Sequence, residues 1–296
     1  MIIIKMSGGL GNQLQQYALY EKFKYQGIEA RLDTSWFDKN VKKYQTRELE
    51  IKRFPKVLLE LCTIDEKEKL IGKDTFKDKI IRTLNRRRSN IFRESAMYHP
   101  DLFEKRDAYL EGYWACEKYY ADILPMLREK LLFPESDNPV NLDTVLKMQQ
   151  ECSVSVHIRR GDYLDPENEA LFGNICTEDY YQSAIAFFQK KDPGTRFYLF
   201  SDDPEYVRAH FQGEEIVVVD WNKREDSFYD LYLMSMCQHH ICANSTFSFW
   251  GARLNRNPEK IMIRPCKHKN TQTFDPDLMK ELWTGWTFID VDGRIL

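Results

Sequence analysis

From residue 153 onward the sequence alternates short apolar runs with amphipathic stretches, and this alternation constrains the fold more than any other feature. Ser153 to His157, Phe197 to Phe200, Ile216 to Val219, His240 to Ala243 and Ile261 to Ile263 read as strands. Between them, Glu178 to Lys190, Glu205 to Phe211, Ser227 to Cys237 and Thr246 to Asn255 read as helices. Apolar strands that each lead into a helix predict a parallel sheet covered on both faces. Ligands of such sheets bind beyond the carboxyl ends of the strands, so the loops there are where chemistry is expected.

The N-terminal half opens in the same way. Ile2 to Met6 reads as a strand, Ser7-Gly8-Gly9-Leu10-Gly11 as a tight loop, and Asn12 to Tyr25 as a helix ended by Gly27. Glu29 to Asp33 completes a βαβ unit. Ile51 to Arg93 is charged and lacks alternation or β-branched clusters, which predicts helices and loops without strands. Tyr109 to Trp114 reads as a strand entering a loop, and Glu117 to Leu132 as helical up to Pro134. The polar segment Ser136 to Pro139 is the best candidate linker. Two α/β domains are expected, 1–138 and 139–296, and 296 residues suffice to give each a core.

Composition narrows the function classes. With 43% hydrophobic and 30% charged residues the chain is neither disordered nor collagen-like nor membrane-embedded. A net charge of -3 gives no global attraction to nucleic acid. The single dense basic run, Arg86-Arg87-Arg88, reads as a solvated loop or as a peripheral contact with a membrane-borne acceptor. Seven cysteines without a CxxC pair or metal-ligand spacing read as reduced thiols. No secretory signal and no apolar run of membrane-spanning length is visible, and a cytoplasmic location is the expectation.

Four loops carry residues suited to ligands. Gly9-Leu10-Gly11 opens a helix, but Leu14 stands where a dinucleotide fingerprint has its third glycine. A plain turn and a phosphate-side loop both stay open, with Asn12 able to cap the helix or bond a ligand. His157-Ile158-Arg159-Arg160-Gly161-Asp162 puts two guanidiniums just past a buried strand. Surface salt bridging is the alternative; phosphate is favoured because the planar fork gives bidentate bonds and stays charged without water. In Ser201-Asp202-Asp203-Pro204 an N-cap explains one aspartate, and the other is left for a ribose, a base amino group or, least of all, a metal. Asn244-Ser245-Thr246-Phe247-Ser248 places more hydroxyls at a helix start than capping needs, which suggests an anion there. Phe249 and Trp250 read as packing residues.

Together, Gly8 through Leu14, His157 through Tyr163, Phe200 through Asp203 and Asn244 through Ala252 resemble the α-1,2-fucosyltransferases, a family 11-like group of inverting, GDP-fucose-dependent enzymes. The resemblance implies a GT-B-like α/β fold of two Rossmann-like domains facing a central cleft. The first would be the acceptor side and the second the GDP-fucose side, with the C-terminal tail packing back on the first. It implies transfer of L-fucose to the 2-hydroxyl of a terminal galactose-type acceptor, with GDP-fucose as substrate and no metal, cofactor or nucleic acid. Arg159 would contact the β-phosphate, and Asn12, with Gly9 and Gly11, would face the phosphates. His157 and Asp202 or Asp203 would face guanosine, while Ser245, Thr246 and Phe247 hold the diphosphate with Arg160, Asn244 and Ser248 around them. Asp162 and Glu167 are candidate bases or structural partners of the arginines. Gln15, Ala115-Cys116 and Phe249 depart from the family pattern, which touches acceptor choice more than donor chemistry. Rival readings are a fucosyltransferase of other regiochemistry or with a protein acceptor, and an inactive nucleotide- or carbohydrate-binding module.

Overall fold

The computed structural model describes residues 1–39, 47–73 and 90–296. It divides into two compact units, Met1–Pro134 and Glu135–Leu296. The basic run Arg86-Arg87-Arg88 lies outside the described residues.

The first unit contains β1 (Ile2–Lys5), α1 (Leu10–Tyr25), β2 (Ala30–Asp33), α2 (Ser35–Lys39), α3 (Ile64–Ile71), β3 (Ile91–Arg93), β4 (Ala108–Glu111) and α4 (Leu124–Lys130). Its strands run in the order β2-β1-β4-β3, all parallel. Ile2, Ile3 and Ile4 are wholly buried because β1 lies inside the sheet with neighbours on either side. The charged stretch does hold a helix, α3, started by a reciprocal capping box between Thr63 and Glu66. It also ends in a strand that the sequence did not suggest: β3 is a three-residue edge strand, too short to show alternation. The stretch after Cys116 is two 3-10 turns, Glu117–Tyr119 and Ala121–Ile123, before α4 begins around Pro125.

The second unit contains α5 (Pro139–Gln150), β5 (Ser153–Ile158), α6 (Pro166–Phe172), α7 (Glu178–Lys191), β6 (Arg196–Ser201), α8 (Pro204–His210), β7 (Ile216–Val219), α9 (Phe228–Met236), β8 (His239–Ile241), α10 (Thr246–Leu254), β9 (Met262–Pro265), α11 (Pro276–Leu282) and β10 (Trp286–Ile289). The six parallel strands run β10-β9-β8-β5-β6-β7. Period-two alternation splits the core cleanly. Phe197 and Leu199 of β6 face a cluster with Tyr180, Ala184 and Phe188 of α7, while Tyr198 and Phe200 face one with Val145, Met148, Leu233 and Met234 of α5 and α9. The α/β class expected from the alternation is thus present in both units.

Three helices and one strand of this unit were not legible as periodic runs. Helices α5, α6 and α11 start at Pro139, Pro166 and Pro276, each behind an Asn or Asp, which is the ordinary start signal of a short helix. From β5 the chain proceeds to β6 and β7 on one side, then returns to β8, β9 and β10 on the other. The carboxyl ends of β5 and β8 therefore flank the point where strand order reverses, the usual position of a ligand crevice. Among the described residues no helix is long and apolar enough to cross a membrane, and all seven cysteines are free thiols.

Candidate functional site

Strand β5 ends at Ile158, and the next residues form a single 3-10 turn, Gly161–Leu164, that keeps both arginines at the sheet edge. Arg159 reaches Asp202 Oδ2 with Nη1 at 2.7 Å and Asp162 Oδ1 with Nη2 at 2.5 Å. Burial pulls its pKa down, but the carboxylates of Asp202 and Asp162 outweigh that and leave it above its ordinary value. About a quarter of the side chain stays exposed (24%), so a ligand can reach it.

Arg160 is used differently. Its Nε donates to Asp203 Oδ2 at 3.1 Å, its backbone N–H donates to Asp202 Oδ1 at 3.0 Å, and its guanidinium lies 3.5 Å above the Tyr206 ring. Asp203 also caps α8 by accepting from the Tyr206 N–H at 3.1 Å. The pair of aspartates thus resolves: Asp203 is the helix cap and Asp202 the partner of Arg159. Two guanidiniums face three carboxylates here, so an incoming phosphate must compete with Asp162 and Asp202 for Arg159. Glu167 sits apart, exposed in the first turn of α6.

Tyr163 ties this turn to the start of α10. Its hydroxyl donates to the Asn244 carbonyl at 3.0 Å and its ring stacks on Phe172 at 5.1 Å. Asn244 is spent on bracing: its Nδ2 donates to the Phe172 and His268 carbonyls at 3.0 and 3.1 Å, and Cys176 donates to its Oδ1 at 3.5 Å. Ser245 caps α10 by accepting from the Phe247 N–H at 3.4 Å, and Ser248 bonds back to the Ser245 carbonyl at 3.2 Å. Of the five residues expected to hold an anion, Thr246 and Phe247 are those with partly exposed surface; Asn244, Ser245 and Ser248 are buried.

His157, on the β5 face opposite Val156 and Ile158, packs its ring 5.9 Å from Phe247 and is buried. Its Nδ1 has no hydrogen-bond partner. Burial first, and the Arg159 charge second, push its pKa down to about 3, so the imidazole is neutral at physiological pH.

In the first unit, Asn12 occupies the opening turn of α1, where its N–H donates to the Gly9 carbonyl at 3.0 Å. Gly8 has φ +82, and a Cβ there would stand 2.6 Å from Asn12 Nδ2. The Leu10 N–H is hydrogen-bonded by the carboxylate of Glu50, and Arg47 lies 3.5 Å from where a Gly9 Cβ would be. Burial raises the pKa of that Glu50 carboxyl, with Arg47 and Arg53 opposing the shift. Gln13 pins the loop by donating to the Gly8 and Glu48 carbonyls at 3.0 and 2.8 Å and accepting from the Ile51 N–H at 3.1 Å. The bracing role of Gln13 was not readable from its place in the glycine motif, because it acts through contacts distant along the chain.

Among the described residues no three His, Cys, Asp or Glu side chains gather as a metal-binding group.

Comparison with known proteins places the whole chain among glycosyltransferases. The chain is 29% identical over 290 residues to the O-antigen biosynthesis glycosyltransferase WbnK of Escherichia coli, covering 88% of this chain and 93% of that protein. It is 29% identical over 297 residues to the α-1,2-colitosyltransferase of Escherichia coli, covering 93% and 96%. A shorter match, 28% over 103 residues, covers 34% of this chain and 28% of galactoside α-(1,2)-fucosyltransferase 1 of Ateles belzebuth. The model of glycosyl transferase family 11 matches residues 1–289, and the chain, a glycosyltransferase, belongs to that family.

Proposed function

We propose that the chain transfers L-fucose from GDP-fucose to the 2-hydroxyl of a terminal galactose-type sugar, with inversion and without a metal, forming an α-1,2 linkage. The observation that carries this reading is the exposed edge of Arg159, fixed by Asp202 and Asp162 past the end of β5, in a family 11 chain. The acceptor oxygen bonds to C1 of the sugar as the bond from C1 to the β-phosphate oxygen breaks, and GDP departs with the electron pair. Charge grows on that oxygen, and Arg159 with the amino-terminal end of α10 stabilises it; loss of one such donor costs about 2.7–4 kcal/mol of barrier. His157, neutral and buried beside Phe247, faces guanosine with its open Nδ1.

The acceptor proton needs somewhere to go. Asp162 is held against Arg159, which supports a bracing role. That leaves Glu167 or a donor phosphate oxygen as proton acceptor. Retained turnover in both Asp162→Asn and Glu167→Gln favours the phosphate.

A second donor is favoured by one observation, the similarity over 93% of the chain to an α-1,2-colitosyltransferase. Colitose is fucose without its 3-hydroxyl, so one diphosphate site serves both. Incubation with GDP-fucose or GDP-colitose and a panel of β-galactosides, with and without chelator, tests the proposal. An α-1,2-linked fucoside formed equally with chelator supports it. Loss of product on chelation removes the metal-free claim, and turnover of GDP-colitose alone moves the donor.

A further inference from the structure

In the first unit the loops beyond β1, β3 and β4 are locked into one ledge. Gln16 accepts from the Ser7 N–H at 2.9 Å and donates to the Gly112 carbonyl at 3.0 Å, joining the first loop to the third. Glu94, the residue after β3, accepts from the Tyr113 N–H at 2.7 Å and from the Trp114 N–H at 3.1 Å. Gly112 must be glycine for this clamp, since a Cβ would stand 2.5 Å from that of Glu94.

The clamp holds Trp114 at φ +57, a left-handed conformation that bulky residues rarely adopt. It drives the indole into a wholly buried box, stacked on Phe92 at 6.2 Å and edged by Tyr119 at 6.0 Å. Tyr113 is left on the outside with half its surface exposed (50%). The exposed Tyr113 ring thus stands on a braced mount at the carboxyl edge of a parallel sheet, the edge where ligands of such sheets bind.

We propose that Tyr113 is the platform on which the acceptor galactopyranoside stacks, an assignment that rests on the reaction proposed above. The axial 4-hydroxyl of galactose leaves the hydrogens on C3, C4 and C5 together on one face. Such a patch of weakly positive hydrogens fits the negative face of an aromatic ring. Glucose divides those hydrogens between its two faces and stacks less well. Both Glu94 oxygens are engaged by the loop, which suits a neutral ligand.

The test uses the full chain and its Tyr113→Ala, Tyr113→Phe and Tyr113→Trp variants. Saturation-transfer NMR with methyl β-D-galactoside and methyl β-D-glucoside reads binding without turnover, and steady-state kinetics with GDP-fucose read the KM of each substrate. The expected result is an acceptor KM raised at least tenfold in Tyr113→Ala, within threefold of the parent in Phe and Trp, with donor KM unchanged. Saturation should reach the C3, C4 and C5 protons of the galactoside most strongly. An Ala variant that binds galactoside within twofold of the parent overturns the inference, as does a parent that binds none. A parent that binds galactoside through Tyr113 yet consumes no GDP-fucose keeps the inference and sinks the reaction.

Discussion

A Cβ on Gly161 would stand 2.3 Å from Oδ2 of Asp202, the same oxygen that holds Nη1 of Arg159 at 2.7 Å. Gly161→Ala should therefore push Asp202 off Arg159 without touching the guanidinium itself. We expect turnover to fall about tenfold or more in Gly161→Ala, and about 10²–10³-fold in Arg159→Ala, with both proteins folded. Steady-state kinetics and thermal unfolding check this, and near-parental turnover in Arg159→Ala removes the role assigned to it.

Arg160 should behave in the opposite way. Its contacts are the Asp203 cap and the Tyr206 ring, so Arg160→Ala is expected to cost roughly 1 kcal/mol of stability. Turnover should stay within about fivefold of the parent. A variant of normal stability but negligible activity would exchange the roles of the two arginines.

Gln15 is wholly buried with neither amide atom hydrogen-bonded. Leaving a polar group so placed costs about 1–3 kcal/mol, and an apolar group of similar shape removes the cost. Gln15→Leu should raise the melting temperature, by about 2–4 °C per kcal/mol for a domain of this size. A lower melting temperature would show that the amide has a role in place.

Stability should decline on mild acidification. Burial holds His157 and His268 down at about 3 and His240 well below 6.5, with nearby cationic side chains adding to the effect. Between pH 6.5 and about 3 these imidazoles are neutral when folded and take up protons when unfolded, so the unfolded state binds more protons and gains as pH falls. Each contributes a slope of up to about 1.4 kcal/mol per pH unit. Urea midpoints at several pH values across this window should show it, and His268→Gln should flatten it. A midpoint independent of pH there would mean these rings are not buried neutral.

Much of this was legible in the residues themselves. β6 and β7 announce themselves as apolar, β-branched or aromatic runs, while β5 and β8, which carry Ser and His, were readable from their place between helical stretches. The Arg159 loop stands out because guanidiniums beside a buried strand need partners. Asp203 was readable as a cap from Pro204, whereas its neighbour's tie to Arg159 was not. The strand Trp286–Ile289 escaped despite its strand-favouring residues because four positions are too few to show alternation. The Glu50 contact with Leu10 and the Glu94 clamp escaped for another reason: each joins segments far apart in sequence, and only the folded backbone brings them together.

Beside the backbone pairing of β5 with β8, His240 Nδ1 donates to Ser155 Oγ in the core at 2.8 Å, while its Nε2 accepts from Asn255 Nδ2 at 2.7 Å. A slip of one residue would shift the Arg159 turn against the start of α10 by about 3.3 Å and turn His157 to the other face. His240 thus works as an alignment pin: a side chain buried between the paired strands sets the spacing between the Arg159 turn and the start of α10. Chimaeras that exchange the segment between these strands should keep their function only where Ser155 and His240 arrive as a matched pair.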